Sequence, residues 1–281
     1  MKRRQFLLAA SASVASVAGA GVYAHWIEPF WLDVTRLDLP IAHLPQSLDG
    51  KTLLHLSDIH MGQTVSDAYL EQVWRTGTAL QPDIAMYTGD WVTWRGTAQL
   101  RQLEHHLPLT PRGRMATVSV LGNHDYGDRW REKNVADEVA ERVSAAGITM
   151  LRNAAFDLDG MLVAGIDDYW SRLSMPERAL ERWTRGTPAL VLNHNPDCMD
   201  ERSRWNGYDG WVLSGHTHGG QCRSPFLAPP ILPVMNRRYT AGAIAVGDGR
   251  QVYISRGVGF NIQVRMNVRP EITLFTLRRA S

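Results

Sequence analysis

Leu53-Leu54-His55-Leu56-Ser57-Asp58-Ile59-His60 joins a short apolar run to two side chains that bind metal ions. The run has the length of a buried strand, and the polar pair follows at its carboxyl end. The same join recurs four times downstream. Ile84 to Tyr87 leads to Thr88-Gly89-Asp90, and Ala116 to Leu121 leads to Gly122-Asn123-His124-Asp125. Ala189 to Leu192 leads to Asn193-His194-Asn195-Pro196-Asp197, and Trp211 to Leu213 leads to Gly215-His216-Thr217-His218. Helical signals lie between: Ser66 to Leu80 with Ser66 as N-cap, Gln99 to His106, Asn134 to Ala146 closed by Gly147, and Pro176 to Arg185. Trp31 to Leu39 reads as the first strand, and Leu162 to Ile166 runs into Asp167 and Asp168. Strands alternating with helices predict an α/β fold with its site beyond the strand carboxyl ends. The tail changes pattern: Ala243 to Val246, Gln251 to Ser255 and Glu271 to Leu277 read as short strands of an antiparallel edge.

The composition sets limits on this reading. With 281 residues and 44% apolar content, the chain buries one substantial core. Lys2, Arg3 and Arg4 hold three of the 30 basic residues, so the body has 27 against 28 acidic ones. A near-neutral body with no basic run gives no electrostatic case for nucleic acid as a partner. Cys198 and Cys222 make no disulfide framework, although a single pairing of the two stays open.

The start of the chain is a second signal. Lys2-Arg3-Arg4 precedes an uncharged stretch, Gln5 to Ala24, rich in Ala, Ser, Val and Gly. That combination resembles a twin-arginine export signal, which carries proteins already folded and implies the twin-arginine translocation machinery as a partner. The expected division is residues 1–24 as signal peptide or N-terminal anchor, 25–30 as linker and 31–281 as one domain. Cleavage and anchoring are both open, since the stretch is just long enough to span a bilayer. Trp26, Phe30 and Trp31 suit either a lipid interface or packing on the domain.

Asp58, His60, Asp90, Asn123, His194, His216 and His218 form a candidate ligand set for two divalent cations. Oxygen and imidazole donors suit Mn, Fe, Zn and their neighbours without choosing among them. Asp58-Ile59-His60 alternates, so an extended strand end would send both side chains to one side. Gly89 lets the backbone come close at Asp90, whose two oxygens suit a bridge. His124, next to the ligand Asn123, is the candidate general acid, with Asp125 as the residue that orients its ring. Arg256, between Ser255 and Gly257, is the candidate phosphate-binding residue, with Arg223, Arg237, Arg238, Arg265 and Arg269 as weaker versions. Asp167 and Asp168 read as a strand-end turn.

The ordered set Asp-x-His, Gly-Asp, Gly-Asn-His-Asp, His and Gly-His-x-His resembles the signature of the calcineurin-like metallophosphoesterases. The forms NHNPD and GHTHGGQ, Arg256-Gly257-Val258-Gly259 and Arg269-Pro270-Glu271-Ile272 resemble its exported bacterial YkuE/YaeI-like branch. The resemblance implies a β-sandwich of two mixed sheets flanked by helices. It also implies Asp58, His60 and His218 on one metal, Asn123, His194 and His216 on the other, and Asp90 bridging. The activity it implies is hydrolysis of phosphodiester or pyrophosphate bonds by a metal-bridging hydroxide, with His124 as acid. Two alternatives accompany it: a UDP-2,3-diacylglucosamine-type pyrophosphate hydrolase acting on a lipid-linked precursor at the membrane, and a non-catalytic metal-binding envelope protein. Export by the twin-arginine route, to the periplasm or envelope, would place the site away from cytoplasmic nucleotides, which argues against the first alternative.

Overall fold

The structure, a computed structural model, describes Gln5, Ser16, residues 18–224 and residues 226–280. The export signal expected over residues 1–24 thus lies for the most part outside the described residues. Two six-stranded sheets face each other. In chain order the strands of the first half are β1 (Asp33–Ala42), β2 (Thr52–Leu56), β3 (Ile84–Thr88), β4 (Ala116–Val120) and β5 (Thr149–Met150). The second half adds β6 (Ala154–Leu158), β7 (Met161–Gly165), β8 (Ala189–Leu192), β9 (Trp211–Ser214), β10 (Gly242–Ala245), β11 (Gln251–Ile254) and β12 (Glu271–Ala280). One sheet runs β1-β12-β2-β3-β4-β5, the other β10-β11-β9-β8-β7-β6. The helices are α1 (Asp67–Ala79), α2 (Ala98–His106), α3 (Lys133–Ala145) and α4 (Pro176–Ala179).

Burial on both faces explains the unbroken apolar runs. In β3, Ile84 and Met86 enter the layer between the sheets, while Ala85 and Tyr87 face the helices. In β8, Leu190 and Leu192 point between the sheets and Val191 packs against the outer layer with Trp205 and Tyr208. His55 of β2 lies fully buried, its ring stacked on Phe275, and donates no charge to the core because burial lowers its pKa to about 4. The mixed sandwich flanked by helices is the expected fold.

Three local expectations change. The tail does not form one antiparallel edge: β10 and β11 pair antiparallel in one sheet, but β12 enters the other, parallel to β1 and antiparallel to β2. Its alternating burial suits the inner face of either sheet, so the pattern alone could not choose between them. The helix expected over Pro176 to Arg185 stops after four residues, and the Trp183 indole closes the following turn by donating to Thr187 O at 3.1 Å. The stretch expected as a linker is two helical turns, Tyr23–Ile27 and Glu28–Phe30, fastened to the domain. Arg265 N donates to Ala24 O at 2.9 Å, and Phe30 packs edge-on against Tyr69 and Phe260. Caps match better: Ser66 Oγ accepts from Tyr69 N, and Gly147 ends α3 at φ +83°. Among the described residues, no helix is long and apolar enough to cross a membrane.

Candidate metal centre

All seven predicted ligands meet at the carboxyl ends of β2, β3, β4, β8 and β9. Asp58, His60 and His218 form one group of converging donor atoms, and Asp90, His194 and His216 form a second. Asn123 joins the second through its Oδ1, 3.2 Å from His194 Nε2. Asp90 Oδ2 stands 3.5 Å from His60 Nε2 and 3.2 Å from His194 Nε2, between the two groups. That is the position of a bridging carboxylate.

The backbone that aims these side chains is not an extended strand. Asp58, His60, Asp90, His216 and His218 have φ of +53°, +54°, +55°, +71° and +49°. The two-residue spacing therefore brings both members of each pair inward through left-handed turns, correcting the alternation expected for Asp58 and His60. Such a conformation costs a residue with a side chain on the order of 1 kcal/mol or more, and clusters of it mark functional sites. Interlocked loops hold the strain. His216 N donates to both oxygens of Asp58 at 2.9 and 3.0 Å, and His124 N donates to Asp90 Oδ1 at 2.8 Å. Two glycines permit this: a Cβ on Gly215 would stand 1.8 Å from Ser57 Oγ, and one on Gly89 2.3 Å from Gly122 N.

The donor set fits divalent cations. His60 Nδ1 donates to Thr93 Oγ1 at 2.9 Å, and Thr93 passes its own proton to Asn261 Oδ1 at 2.9 Å. The bare Nε2 of His60 then faces His218 Nε2 at 3.0 Å. Similarly, His194 Nδ1 is bonded to Thr88 O and His216 Nε2 to Pro233 O, each at 2.7 Å. Their other nitrogens face each other at 3.3 Å. Acceptors aimed at acceptors repel unless a cation or a proton lies between them. Burial lowers His60 and His216 to about 3 and holds His218 well below its ordinary value, so these rings stay neutral and ready to coordinate. Burial opposes charge on His194 too, yet Asp90 and then Asp58 raise it to about 10. In the metal-free cluster that proton offsets the buried carboxylates.

His124 lies beside both groups, and its ring converges with His60 and Asp90 in a third set of donor atoms. Its ring meets His60 edge-on at 5.0 Å between centroids, and Asn261 Nδ2 donates to its Nε2 at 3.1 Å. Asp125 does not orient that ring. It is fully buried, accepts from Gly122 N at 2.9 Å and Val92 N at 3.1 Å, and is raised to about 8 by burial and Asp90. It holds the loop that carries Asn123 and His124. The partner of His124 is Asn261, which the sequence reading missed because it lies 137 residues away in a segment with no strand-end signal. Arg256 does not line the cavity: its guanidinium bonds Glu271 and Asp33 at 3.0 Å each. Arg265 is buried and donates to the carbonyls of Arg256, Gly257 and Gly259. Asp168 Oδ2 accepts from Ser171 N in a turn, and Asp167 pairs with Arg152 at 3.0 Å. Cys198 and Cys222 are free thiols.

A cavity of about 540 Å³ opens over the centre, walled on one side by Trp130 and Trp170 and on the other by Pro230, Ile231 and Ile262. Trp130 and Trp170 pack at a tilt with centroids 4.5 Å apart, and Trp170 meets His216 edge-on at 4.4 Å. These tryptophans also escaped the sequence reading, since nothing in their local pattern separates a cavity wall from core.

Residues 51–220, more than half of the chain, match the family model described as calcineurin-like phosphoesterase. The chain belongs to the calcineurin-like metallophosphoesterases. It is 34% identical to "Phosphodiesterase YaeI" of Escherichia coli (strain K12), covering 99% of both chains. It is 31% identical to "Uncharacterized metallophosphoesterase YkuE" of Bacillus subtilis (strain 168), covering 99% of this chain and 98% of that one. Identity to "UDP-2,3-diacylglucosamine pyrophosphatase LpxG" of Chlamydia trachomatis serovar D is 25%, with 90% of this chain and 91% of the relative covered. This metallophosphoesterase thus sits in the YaeI and YkuE branch, with a cluster of His and Asp able to hold two metal ions.

Proposed function

We propose that the protein hydrolyses phosphodiester bonds at this centre, with His124 protonating the leaving oxygen. The observation that carries the proposal is the convergence of donor groups around Asp90, with the His124 imidazole turned onto His60 and Asp90 in the same cavity wall. Divalent cations held there by Asp58, His60, Asp90, Asn123, His194, His216 and His218 would lower the pKa of a water and polarise phosphoryl oxygens. Asp58 and Asp90 supply only two carboxylates, which leaves the loaded centre attractive to a phosphate anion. Burial lowers the pKa of His124, with Asp90 opposing. An anionic phosphoryl group in the cavity raises it again, so the ring arrives protonated where the P–O bond breaks and the alkoxide takes its proton. Asn261, itself held by Thr93, fixes the plane of the neutral ring by donating to its Nε2. Lys2-Arg3-Arg4 and the uncharged run after them support export by the twin-arginine route, which delivers the folded enzyme to the periplasm or envelope.

A second reading has one observation in its favour. The apolar walls of the cavity suit a leaving group that carries acyl chains, as in a lipid-linked pyrophosphate. Relatives named UDP-2,3-diacylglucosamine pyrophosphatase point the same way, whereas export away from cytoplasmic nucleotides opposes it.

The test is His124→Ala in metal-loaded protein. Turnover of an alkyl phosphodiester falls by about 10²- to 10⁴-fold, that of a diester with an acidic aryl leaving group falls less, and metal content stays at the parent level. Parent rates on both substrates would remove His124 from the mechanism. A loaded parent inert towards monoesters, diesters and pyrophosphates alike would leave a metal-binding envelope protein.

A further inference from the structure

We propose that the rim of the cavity is a membrane-seating face whose partner is a lipid bilayer with anionic headgroups. This rests on reading the cavity as the active site, because the face would bring that mouth onto the surface from which substrate enters.

Large exposed apolar side chains lie in the loop that runs through the cavity wall at Pro230 and Ile231. Phe226 and Met235 are 91% and 89% exposed, and Leu227 and Ile231 lie between them in the chain. Single exposed apolar residues need no explanation, but a contiguous group marks an interaction surface. This loop is coupled to the centre: Pro233 O accepts from the ligand His216, and Pro230 and Ile231 line the cavity. The adjoining strip 261–268 lines it too, through exposed Ile262 and through Val264, whose carbonyls both accept from Gln221 Nε2. The N-terminal turns grip the same strip. Arg265 N donates to Ala24 O at 2.9 Å, Gln263 Nε2 to His25 O at 3.1 Å, and Asn267 N to Glu28 Oε2 at 2.9 Å. Exposed Trp26 and Ile27 thereby flank the rim. Among the described residues, eight of the twelve exposed large apolar side chains lie on these segments or the cavity wall; Val22 and Trp31 adjoin the N-terminal turns, and Leu37 and Leu109 lie elsewhere.

Charge and chain continuity select a bilayer over a protein partner. Residues 210–247 contain no Asp or Glu, and neither do residues 257–270. Arg237 and Arg238 donate to the carbonyls of Pro229 and Ala245 and, among the described residues, to no carboxylate. Guanidinium groups beside exposed aromatic and aliphatic side chains suit the headgroup layer of an anionic membrane. Lys2-Arg3-Arg4 adds three more cations ahead of the uncharged run from Gln5 to Ala24. That run reaches the domain at Ala24, on the rim itself. An apolar medium that accepts the run therefore meets the loop at once. A protein partner would account for the loop and leave the run unexplained.

The experiment uses the full chain in vesicles of phosphatidylcholine with phosphatidylglycerol. A fluorophore is attached at Phe226→Cys or, as control, at Leu109→Cys, with Cys222 replaced by Ser and Cys198 buried. Nitroxide-bearing lipid is expected to quench the label at 226 several-fold more than the label at 109. Equal quenching overturns the proposal, and so does a label at 226 that lipid does not reach in a protein that sediments as a dimer. A triple variant, Phe226→Ser, Leu227→Ser and Met235→Ser, removes side chains that do not line the cavity. It is expected to lose about tenfold in turnover of a vesicle-borne phosphodiester while keeping the parent rate on a water-soluble one. Equal loss on both, or none on either, counts against the face. A parent inactive on the soluble diester sinks the catalytic reading instead, and the quenching result stands apart from it.

Discussion

Asp58, His60 and His218 sit among neutral rings, whereas the group of Asn123, His194 and His216 holds a proton of its own. The supports differ as well. His60 is aimed by a side chain, Thr93, but His194 and His216 are aimed by the backbone carbonyls of Thr88 and Pro233. Burial first, and then neighbouring imidazoles and Arg265, keep those rings neutral. The charged ring follows from its place against Asp90, which faces both groups. Two sites of similar ligands thus differ in how proton release and second contacts couple to metal binding.

Removing the shared residue tests that comparison most severely. Asp90→Ala is expected to strip both cations and lower activity by at least about 10³-fold, read by elemental analysis and diester turnover. Retention of one full equivalent would mean the carboxylate is not shared. Next comes Thr93→Val, which frees His60 and Asn261 together. It is expected to weaken the His60 site by about 10- to 100-fold, leave the His194 site near parent affinity, and shift the pH profile of turnover through Asn261 and His124. Equal weakening at both sites would contradict separate supports.

The pH dependence sharpens the contrast further. His194, raised to about 10, must lose a proton to coordinate, so affinity at its site rises with pH up to that value. Asp58 is pushed up to about 6 by burial, while His60 at about 3 is already neutral. The first site should therefore lose affinity only as pH falls below about 6. Metal titrations at pH 7 and 9 are expected to strengthen one equivalent and leave the other nearly flat; parallel strengthening would break the distinction. The smallest effect is expected for Trp170→Leu, which removes an edge contact from His216. A few-fold loss at the second site with none at the first is the outcome to look for, on the scale of a single aromatic contact.

The convergence of the candidate ligands was legible in the sequence because each motif follows an apolar run that reads as a buried strand. The sandwich itself became legible through family resemblance, since alternation in β12 could not say which sheet it joins. Positive φ at Asp58 and His60 was hidden, because it is uncommon for any residue with a side chain and nothing local demands it. Asn261 and Thr93 were invisible for a different reason: their role depends on two distant loops meeting over His124. Arg256 shows the converse. Its flanking glycine suggested access to phosphate, but Asp33 and Glu271 arrive from β1 and β12 and occupy the guanidinium.

Anomalous scattering from crystals loaded with a single transition metal addresses the shared centre most directly. Two peaks about 3.5–4 Å apart, one within reach of Asp58, His60 and His218 and the other of Asn123, His194 and His216, with Asp90 touching both, are the expected result. A single peak, or two peaks of which only one contacts Asp90, would contradict a centre built around that carboxylate.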